Sequence, residues 1–207
     1  MSNENPETLI DLIRHGEPKG GRAFRGHNID DPLSEKGWQQ MWDAVGEESP
    51  WDVIVTSPLE RCLAFAESLM DIYDIPCHTD ENLKEVGFGT WEGRTPDEVK
   101  ADNEKEYLDF YLDPVNCRPK GAEDLDAFIK RVNKAYTNAI EKHQGKHILI
   151  VAHAGVNRAI IANALHAAPI GLYRIKVNNA GISRIKHDHL GNHLLYHNVQ
   201  LADITTK

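Results

Sequence analysis

Short apolar runs alternate along this chain with longer stretches in which apolar residues recur at helical spacing. Five of the short runs are rich in β-branched residues, which is typical of strands that are buried on both faces of a sheet. These runs cover residues 8–14, 52–56, 147–152, 181–187 and 193–198. We therefore predict five strands.

Four stretches between these runs place their apolar residues on one helical face and their charges elsewhere. They span about 38–45, 59–73, 125–140 and 156–163. Alternating strands and helices predict an α/β fold, a three-layer sandwich in which a mostly parallel central sheet has helices on both faces. Residues 95–120 differ, because they are acidic and close on two Xaa-Pro pairs. They indicate a small helical insertion, either a lid over a site or a plain pair of surface helices.

The composition sets limits on the function. A length of 207 residues fits one domain over residues 1–207, and an apolar fraction of 41% is enough for a sizeable core. The net charge of −9 argues against binding to nucleic acid or to an anionic membrane. A basic cluster of Lys19, Arg22 and Arg25 therefore has two interpretations, a solvated loop or a funnel for anions.

Several sequence features bear on the compartment of the protein and on metal or cofactor binding. No run approaches the ~18 apolar residues of a membrane span, and residues 1–7 do not resemble a signal peptide, so we expect a cytoplasmic protein. Three widely spaced cysteines predict neither a disulfide framework nor a zinc site. No metal and no cofactor are expected, and a homodimer remains open. Four late histidines favour a solvated edge hairpin over a chelating site: His187, His189, His193 and His197.

The first candidate for chemistry follows the first predicted strand. Arg14 and His15 stand where an open α/β sheet delivers its last residues into a ligand crevice. A neutral histidine is a nucleophile toward phosphorus. An arginine beside it matches the charge and the fork geometry of a phosphoryl group. The pair is consistent with phosphoryl transfer, although a strand-end histidine also occurs for structural reasons.

A second segment follows the second strand. Ser57 has the features of a helix N-cap, Pro58 fits the first helical position, and Glu60 completes a capping box. Arg61 then lies in the first turn. Helical side chains lean toward the N-terminus, so its guanidinium can return to the crevice. The alternative is a surface arginine.

Two further segments add a histidine and a carboxylate. His153 ends another predicted strand, and the helix that begins at Ala154 offers free backbone N–H groups to a phosphate oxygen. Glu85 lies among glycines and aromatic residues, as expected of a tight loop against a pocket wall, and is a candidate general acid. Glu92 in the same loop is a rival on sequence alone.

Taken together, these segments resemble the histidine phosphatase superfamily, whose members have the phosphoglycerate-mutase-like fold. The matching segments occur in the order of that family, from residue 9 to about 165. They are residues 12–17, 31–34 with Gly37, 57–62, 85–93 and 151–155. Within the family, the chain is most similar to the short phosphatases that include α-ribazole-phosphate phosphatases.

The resemblance implies a role for each matching residue. His15 would be the phosphorylated nucleophile, and Glu85 the proton donor. Arg14, Arg61 and His153 would form the phosphate pocket. The resemblance also adds Asn28 and Ala154 as substrate-binding residues. Two positions depart from the family pattern: Pro18 stands where Thr or Ser is usual, and Ala154 where Gly is common.

The expected activity is a metal-independent phosphatase that hydrolyses a small phosphate monoester through a phosphohistidine. The resemblance suggests α-ribazole 5'-phosphate as the substrate. A phosphoglycerate-type mutase is the first alternative, and a phospholigand-binding protein without activity is the second. Four aromatic residues are candidates to stack on a base or sugar, although core packing also explains them: Phe24, Trp91, Tyr107 and Tyr111.

Overall fold

A central sheet of six strands organises the molecule in the computed structural model, which describes residues 6–47 and 49–205. The strands are β1 (Thr8–Arg14), β2 (Val53–Thr56), β3 (Cys77–Thr79), β4 (His147–Ala152), β5 (Ile182–Asp188) and β6 (Gly191–Val199). Their order across the sheet is β3-β2-β4-β1-β5-β6. The first four of these pair in parallel, whereas β5 and β6 form an antiparallel hairpin at one edge.

Helices cover both faces of the sheet. They are α1 (Glu35–Val45), α2 (Glu60–Tyr73), α3 (Pro96–Asp102), α4 (Glu104–Leu112), α5 (Leu125–Lys142), α6 (Ala154–Ala164) and α7 (Leu201–Thr205), with short 3₁₀ turns at Glu81–Leu83, Gly89–Trp91 and Pro169–Arg174. One core contains the apolar faces of α5 and α6, and the second core contains those of α1, α2 and α7. The predicted three-layer α/β architecture is confirmed.

Two details of the sheet differ from the prediction. Strand β3 was not predicted, because its three residues lie at an exposed edge and contain no apolar run. Strand β6 begins earlier than expected, at Gly191, since a hairpin edge needs only backbone pairing there.

The acidic segment is helical, as predicted, and consists of α3 and α4. Thr95 caps α3 in a complete capping box. Phe110 of α4 is fully buried, and Tyr107 and Tyr111 pack on the same core. The insertion is therefore anchored to the main body by an aromatic cluster. Among the described residues, no helix is long and apolar enough to cross a membrane.

The register of the parallel strands brings three chain segments to one end of the sheet. Arg14 pairs with Ala152, and Thr56 pairs with Val151. The pairing continues past the strands, since the His15 amide donates to the Ala152 carbonyl at 3.0 Å and the Ser57 amide to the Val151 carbonyl at 3.0 Å. The residues that follow β1, β2 and β4 therefore share one crevice, as expected at the carboxyl ends of parallel strands.

Candidate active site

His15 lies at the bottom of this crevice and is 6% exposed. Its Nδ1 is 2.7 Å from the carbonyl oxygen of Gly16. A carbonyl only accepts, so Nδ1 carries the proton and Nε2 keeps its lone pair. Burial and the charges of Arg14 and Arg61 lower the pKa of His15 well below its ordinary value. The ring is therefore neutral at physiological pH, with a free nitrogen as nucleophile.

Gly16 permits this arrangement because α1 comes very close to the end of β1. A Cβ atom at Gly16 would lie 2.1 Å from the Gly37 carbonyl oxygen, so neither glycine tolerates a side chain. The N-cap Ser34 fixes the start of α1, since its hydroxyl accepts from the Gly37 amide and donates to the Glu17 carbonyl.

Arg14 is half-buried beside His15. One guanidinium nitrogen donates to the Val177 carbonyl at 2.9 Å, whereas the buried Nε has no hydrogen-bond partner among the described residues. Burial, followed by the neighbouring charge of Arg158, lowers the pKa of Arg14 to about 10. A desolvated cation next to another cation is favourable only when an anion joins them.

Arg61 returns from the first turn of α2 to the crevice, as predicted, and is 1% exposed. It donates to the carbonyls of Ile29 and Gly26 at 3.0 and 2.9 Å. Its buried Nε has no partner in the described part of the chain. Arg61 thus fixes the 26–29 loop and still brings a positive charge to the crevice.

The predicted capping of α2 was wrong. The helix begins at Glu60 with Leu59 as its N-cap, and no side chain of the cap residue bonds to it. The Ser57 hydroxyl accepts from the Leu59 amide at 3.3 Å, before the helix starts, and lies 2.7 Å from Nε2 of His153. The Glu60 amide donates to the distant Asp30 carboxylate at 2.8 Å. A long-range carboxylate therefore takes the capping role that was predicted for Ser57.

His153 is fully buried next to His15. The two rings meet edge to face, with centroids 5.2 Å apart. Burial and then the charge of Arg61 lower the pKa of His153 well below its ordinary value, so this ring is also neutral. The thiol of Cys62 lies 3.6 Å from its Nε2. Ser57 and Cys62 are contacts of His153 that the sequence analysis missed, because each depends on the packing of β2 and α2 against β4.

Glu85 reaches the crevice from its glycine-rich loop and is 8% exposed. Its carboxylate accepts from the Val86 amide at 2.9 Å and from the Gly155 amide, in the first turn of α6, at 3.1 Å. A Cβ atom at Gly155 would lie 2.3 Å from the Glu85 Oε1, so this approach requires glycine. The rival Glu92 accepts instead from the Phe88 amide in its own loop and from Asn28 in the 26–29 loop, and it does not line the crevice.

These side chains surround a cleft of about 380 Å³. Five of the candidate residues line it, and His153 lies directly behind His15: the lining residues are Arg14, His15, Arg61, Glu85 and Ala154. The cleft is also lined by Arg158, Tyr173 and Asn179, which the sequence analysis missed. Arg158 is one helical turn after Ala154, so helical spacing along α6 was a signal that could have found it.

Other predicted residues lie in various positions around the cleft. Asn28 is exposed and donates to Glu92 at 2.8 Å, outside the lining residues. Arg22 and Arg25 both line the cleft, and Arg25 is also paired with Asp31. Pro18 and two of the aromatic candidates, Phe24 and Tyr111, also line it, whereas the other two, Trp91 and Tyr107, pack in the aromatic cluster.

The late histidines lie on the β5–β6 hairpin, as predicted. His187 contacts the Asn192 amide oxygen, His193 contacts Asp188, and His197 donates to the Lys176 carbonyl at 2.7 Å. Within residues 6–47 and 49–205, no group of three or more His, Cys, Asp or Glu side chains is placed to hold a metal ion.

Fold and cleft together define an α/β protein with a neutral histidine in an arginine-lined cleft. A model of the histidine phosphatase superfamily, branch 1, matches residues 10–200, and the chain belongs to this family. It is 30% identical over 178 residues to the adenosylcobalamin/alpha-ribazole phosphatase of Salmonella typhimurium, covering 84% of this chain and 88% of that protein. The structure of Bacillus stearothermophilus YhfR superimposes with a TM-score of 0.84 at 28% identity, covering 93% of this chain and 97% of that one.

A longer relative also matches. The chain is 29% identical over 180 residues to the bifunctional protein Rv2228c of Mycobacterium tuberculosis, and the match covers 85% of this chain. It covers 49% of that relative, so the chain spans about half the length of the mycobacterial protein.

Proposed function

We propose that this chain is a phosphoric monoester hydrolase that acts on small phosphate esters through a phosphohistidine at His15. The observation that carries the proposal is the neutral imidazole of His15, with a free Nε2, in a cleft that it shares with Arg14 and Arg61. The two guanidinium groups supply the positive charge that phosphoryl transfer requires, so the proposed reaction is independent of a metal ion.

In the first step, Nε2 of His15 attacks phosphorus as the bond between phosphorus and the ester oxygen breaks. Arg14 and Arg61 donate to the equatorial oxygens and neutralise their charge, and His153 supports the His15 ring from behind. Glu85, in its protonated form, gives its proton to the departing alkoxide, which leaves as an alcohol. The bond from Nδ1 to the Gly16 carbonyl stabilises the positive charge that the phosphorylated ring gains.

In the second step, water attacks the phosphorus of phospho-His15. Glu85, now a carboxylate, removes a proton from that water, and the bond between nitrogen and phosphorus breaks. Inorganic phosphate leaves, and His15 is again neutral with Glu85 protonated. One general acid therefore serves both half-reactions.

The name of the Salmonella relative supports α-ribazole 5'-phosphate as a first substrate to test. Phe24, Tyr111 and Tyr173 line the cleft and give it an aromatic wall against which a base can stack.

The test is hydrolysis of an aryl phosphate in the presence of EDTA. We expect turnover by the native chain and a loss of about 10³-fold or more for His15→Ala. His189→Ala is the matched control, since His189 is an exposed hairpin residue outside the cleft. Equal rates for the native chain and His15→Ala would overturn the proposal.

A rapid-quench experiment with a ³²P-labelled ester examines the intermediate. We expect an acid-labile, alkali-stable phosphoenzyme in the native chain and none in His15→Ala. If the label passes to a second hydroxyl rather than to water, the activity is that of a mutase and the hydrolase proposal fails.

A further inference from the structure

Five arginines line the cleft: Arg14, Arg22, Arg25, Arg61 and Arg158. Two of them lie beside carboxylates, since Arg25 is 2.8 Å from Asp31 and Arg61 is 3.7 Å from Asp30. Among the described residues, the other three form no ion pair, and the Glu85 carboxylate is near Arg14 in the same cleft. Arg22 is exposed, whereas Arg158 is half-buried, so Arg158 is the half-buried arginine that the proposed phosphate pocket does not use.

Contacts within the protein fix one side of the Arg158 guanidinium. Its Nε donates to the Ile175 carbonyl at 2.8 Å, and its guanidinium carbon lies 5.3 Å from the centre of the Tyr173 ring. In the described part of the chain, these are its only polar and aromatic contacts, and it forms no ion pair. The two terminal nitrogens therefore remain available to a ligand, on a guanidinium whose plane is already fixed.

Arg158 comes from a different element than the two residues that end β1 in the proposed phosphate pocket. Arg14 and His15 end β1, whereas Arg158 lies one turn into α6 and packs on Tyr173, at the aromatic wall of the cleft. Its charge is close enough to lower the pKa of Arg14. Two unpaired cations side by side in a half-buried site are costly without bound anions.

We propose that Arg158 binds a second anionic group on the alcohol portion of the substrate, a carboxylate or a second phosphate. The proposal rests on the phosphatase function above and narrows the preferred substrates to esters that carry two separate negative groups, a class that does not include α-ribazole 5'-phosphate. The two terminal nitrogens of a planar guanidinium form paired hydrogen bonds with either group.

Matched substrate pairs test this. O-phosphoserine and O-phosphoethanolamine differ by one carboxylate, and glucose 1,6-bisphosphate and glucose 6-phosphate differ by one phosphate. For Arg158→Gln, we expect KM for the doubly anionic member of the matching pair to rise about 10- to 100-fold, because a charge-assisted hydrogen bond is lost. The singly anionic member should change less than about threefold. The pair that shows the difference identifies the group.

Two further variants serve as controls. Arg158→Lys keeps the charge but loses the paired geometry, so an intermediate KM is expected. Arg174→Gln removes an exposed arginine from the neighbouring segment outside the cleft, and no change is expected. Retained binding of inorganic phosphate shows that Arg158→Gln is folded.

Several results would overturn the inference. If KM for Arg158→Gln rises equally for both members of each pair, Arg158 contacts the phosphoryl group itself. If KM rises for none of the esters, Arg158 only holds the 169–177 segment in place. An equal loss with α-ribazole 5'-phosphate, whose alcohol portion carries no second anion, would contradict it as well.

Binding without turnover separates this inference from the proposed function. In His15→Ala, calorimetry with the same pairs measures affinity only. If the native chain hydrolyses none of the esters, the phosphatase proposal fails. If His15→Ala binds the doubly anionic esters more tightly and the His15→Ala, Arg158→Gln double variant does not, the inference about Arg158 is supported. If His15→Ala shows no such preference in binding, the inference is overturned.

Discussion

Strand β1 carries charged residues into two buried clusters that differ in their charge balance. Asp11, in the middle of the strand, is fully buried and accepts from the Trp51 indole, from His147 and, through two bonds of 2.8 Å, from Arg184. Arg14, at the end of the same strand, lies near the cations Arg158 and Arg61 and near the Glu85 carboxylate. Its own buried Nε has no hydrogen-bond partner in the described part of the chain. The carboxylate of the first cluster is fully paired, whereas the second cluster keeps an unused buried donor.

This comparison shows how a buried charge that stabilises the fold can be distinguished from one that serves the activity. The Asp11 carboxylate is surrounded by donors, so its role is satisfied within the fold. The cleft brings together five arginines, of which Arg14, Arg22 and Arg158 form no ion pair among the described residues, and such a site is stabilised when an anionic ligand binds. Removing a residue from the first cluster should therefore affect stability, and removing one from the second should affect activity.

Asp11→Asn is expected to have the largest effect. It leaves the Arg184 guanidinium largely buried without a carboxylate, which typically costs about 3–5 kcal/mol in the free energy of unfolding. Urea unfolding measures the loss, and activity per folded molecule should be unchanged. Asp52→Asn is the control, because Asp52 is half-exposed and should cost about 1 kcal/mol or less. Similar losses for both variants would show that the Asp11 cluster is not a structural unit.

Arg14→Gln should show the reverse behaviour. We expect kcat/KM to fall about 10²- to 10³-fold, as for loss of a group that stabilises developing negative charge. The free energy of unfolding should change little, since the lost bond to Val177 is offset by relief of repulsion with Arg158. A loss of several kcal/mol in the free energy of unfolding, with unchanged kcat/KM, would show that Arg14 stabilises the fold and not the reaction.

The pH dependence of stability separates the clusters again. The pKa values of buried His15 and His153 lie below the ordinary value of 6.5, so the unfolded chain binds more protons than the native one as the pH falls below 6.5. Stability then falls by up to about 1.4 kcal/mol per pH unit for each histidine. His15→Gln should therefore lose less stability between pH 7 and 5.5 than the native chain in urea unfolding. Identical slopes would contradict a neutral His15.

The Asp11 carboxylate changes the stability of the fold at lower pH than the histidines do. Burial raises its pKa, but hydrogen bonds from Arg184 and His147 outweigh this effect and hold the pKa below its ordinary 3.8. Its stabilisation is therefore present above 3.8 and is lost as the pH falls through the native-state pKa. The loss below pH 4 should be absent in Asp11→Asn.

Asn28→Ala should have the smallest effect. Asn28 is exposed and its amide is already bonded to Glu92, so we expect the rate to change less than about threefold. Steady-state kinetics with an aryl phosphate provides the measurement. A fall of more than about tenfold would assign Asn28 to the substrate pocket, as the family resemblance implies, through a movement of its loop.

Much of the fold followed from local patterns. The strand before His15 and the strand before His153 were predicted at their observed bounds, because a continuous apolar run marks a strand buried on both faces. The edge strand β3 could not be predicted, since a three-residue strand at an exposed edge has no apolar pattern. The N-cap of α2 was misassigned because a local capping motif does not show that the distant Asp30 carboxylate binds the Glu60 amide at the helix start.

By itself, the sequence determined the α/β alternation, the family and the strand-end placement of Arg14, His15 and His153. These depend on periodicity and on short segments, which are local properties of the chain. The tertiary structure alone decided that the Asp11 carboxylate is balanced, that Ser57 contacts His153, and that Arg158 faces the cleft with free donors. Charge balance depends on residues brought together from distant parts of the chain, so only the packed fold determines which charges are neutralised and which remain for a ligand.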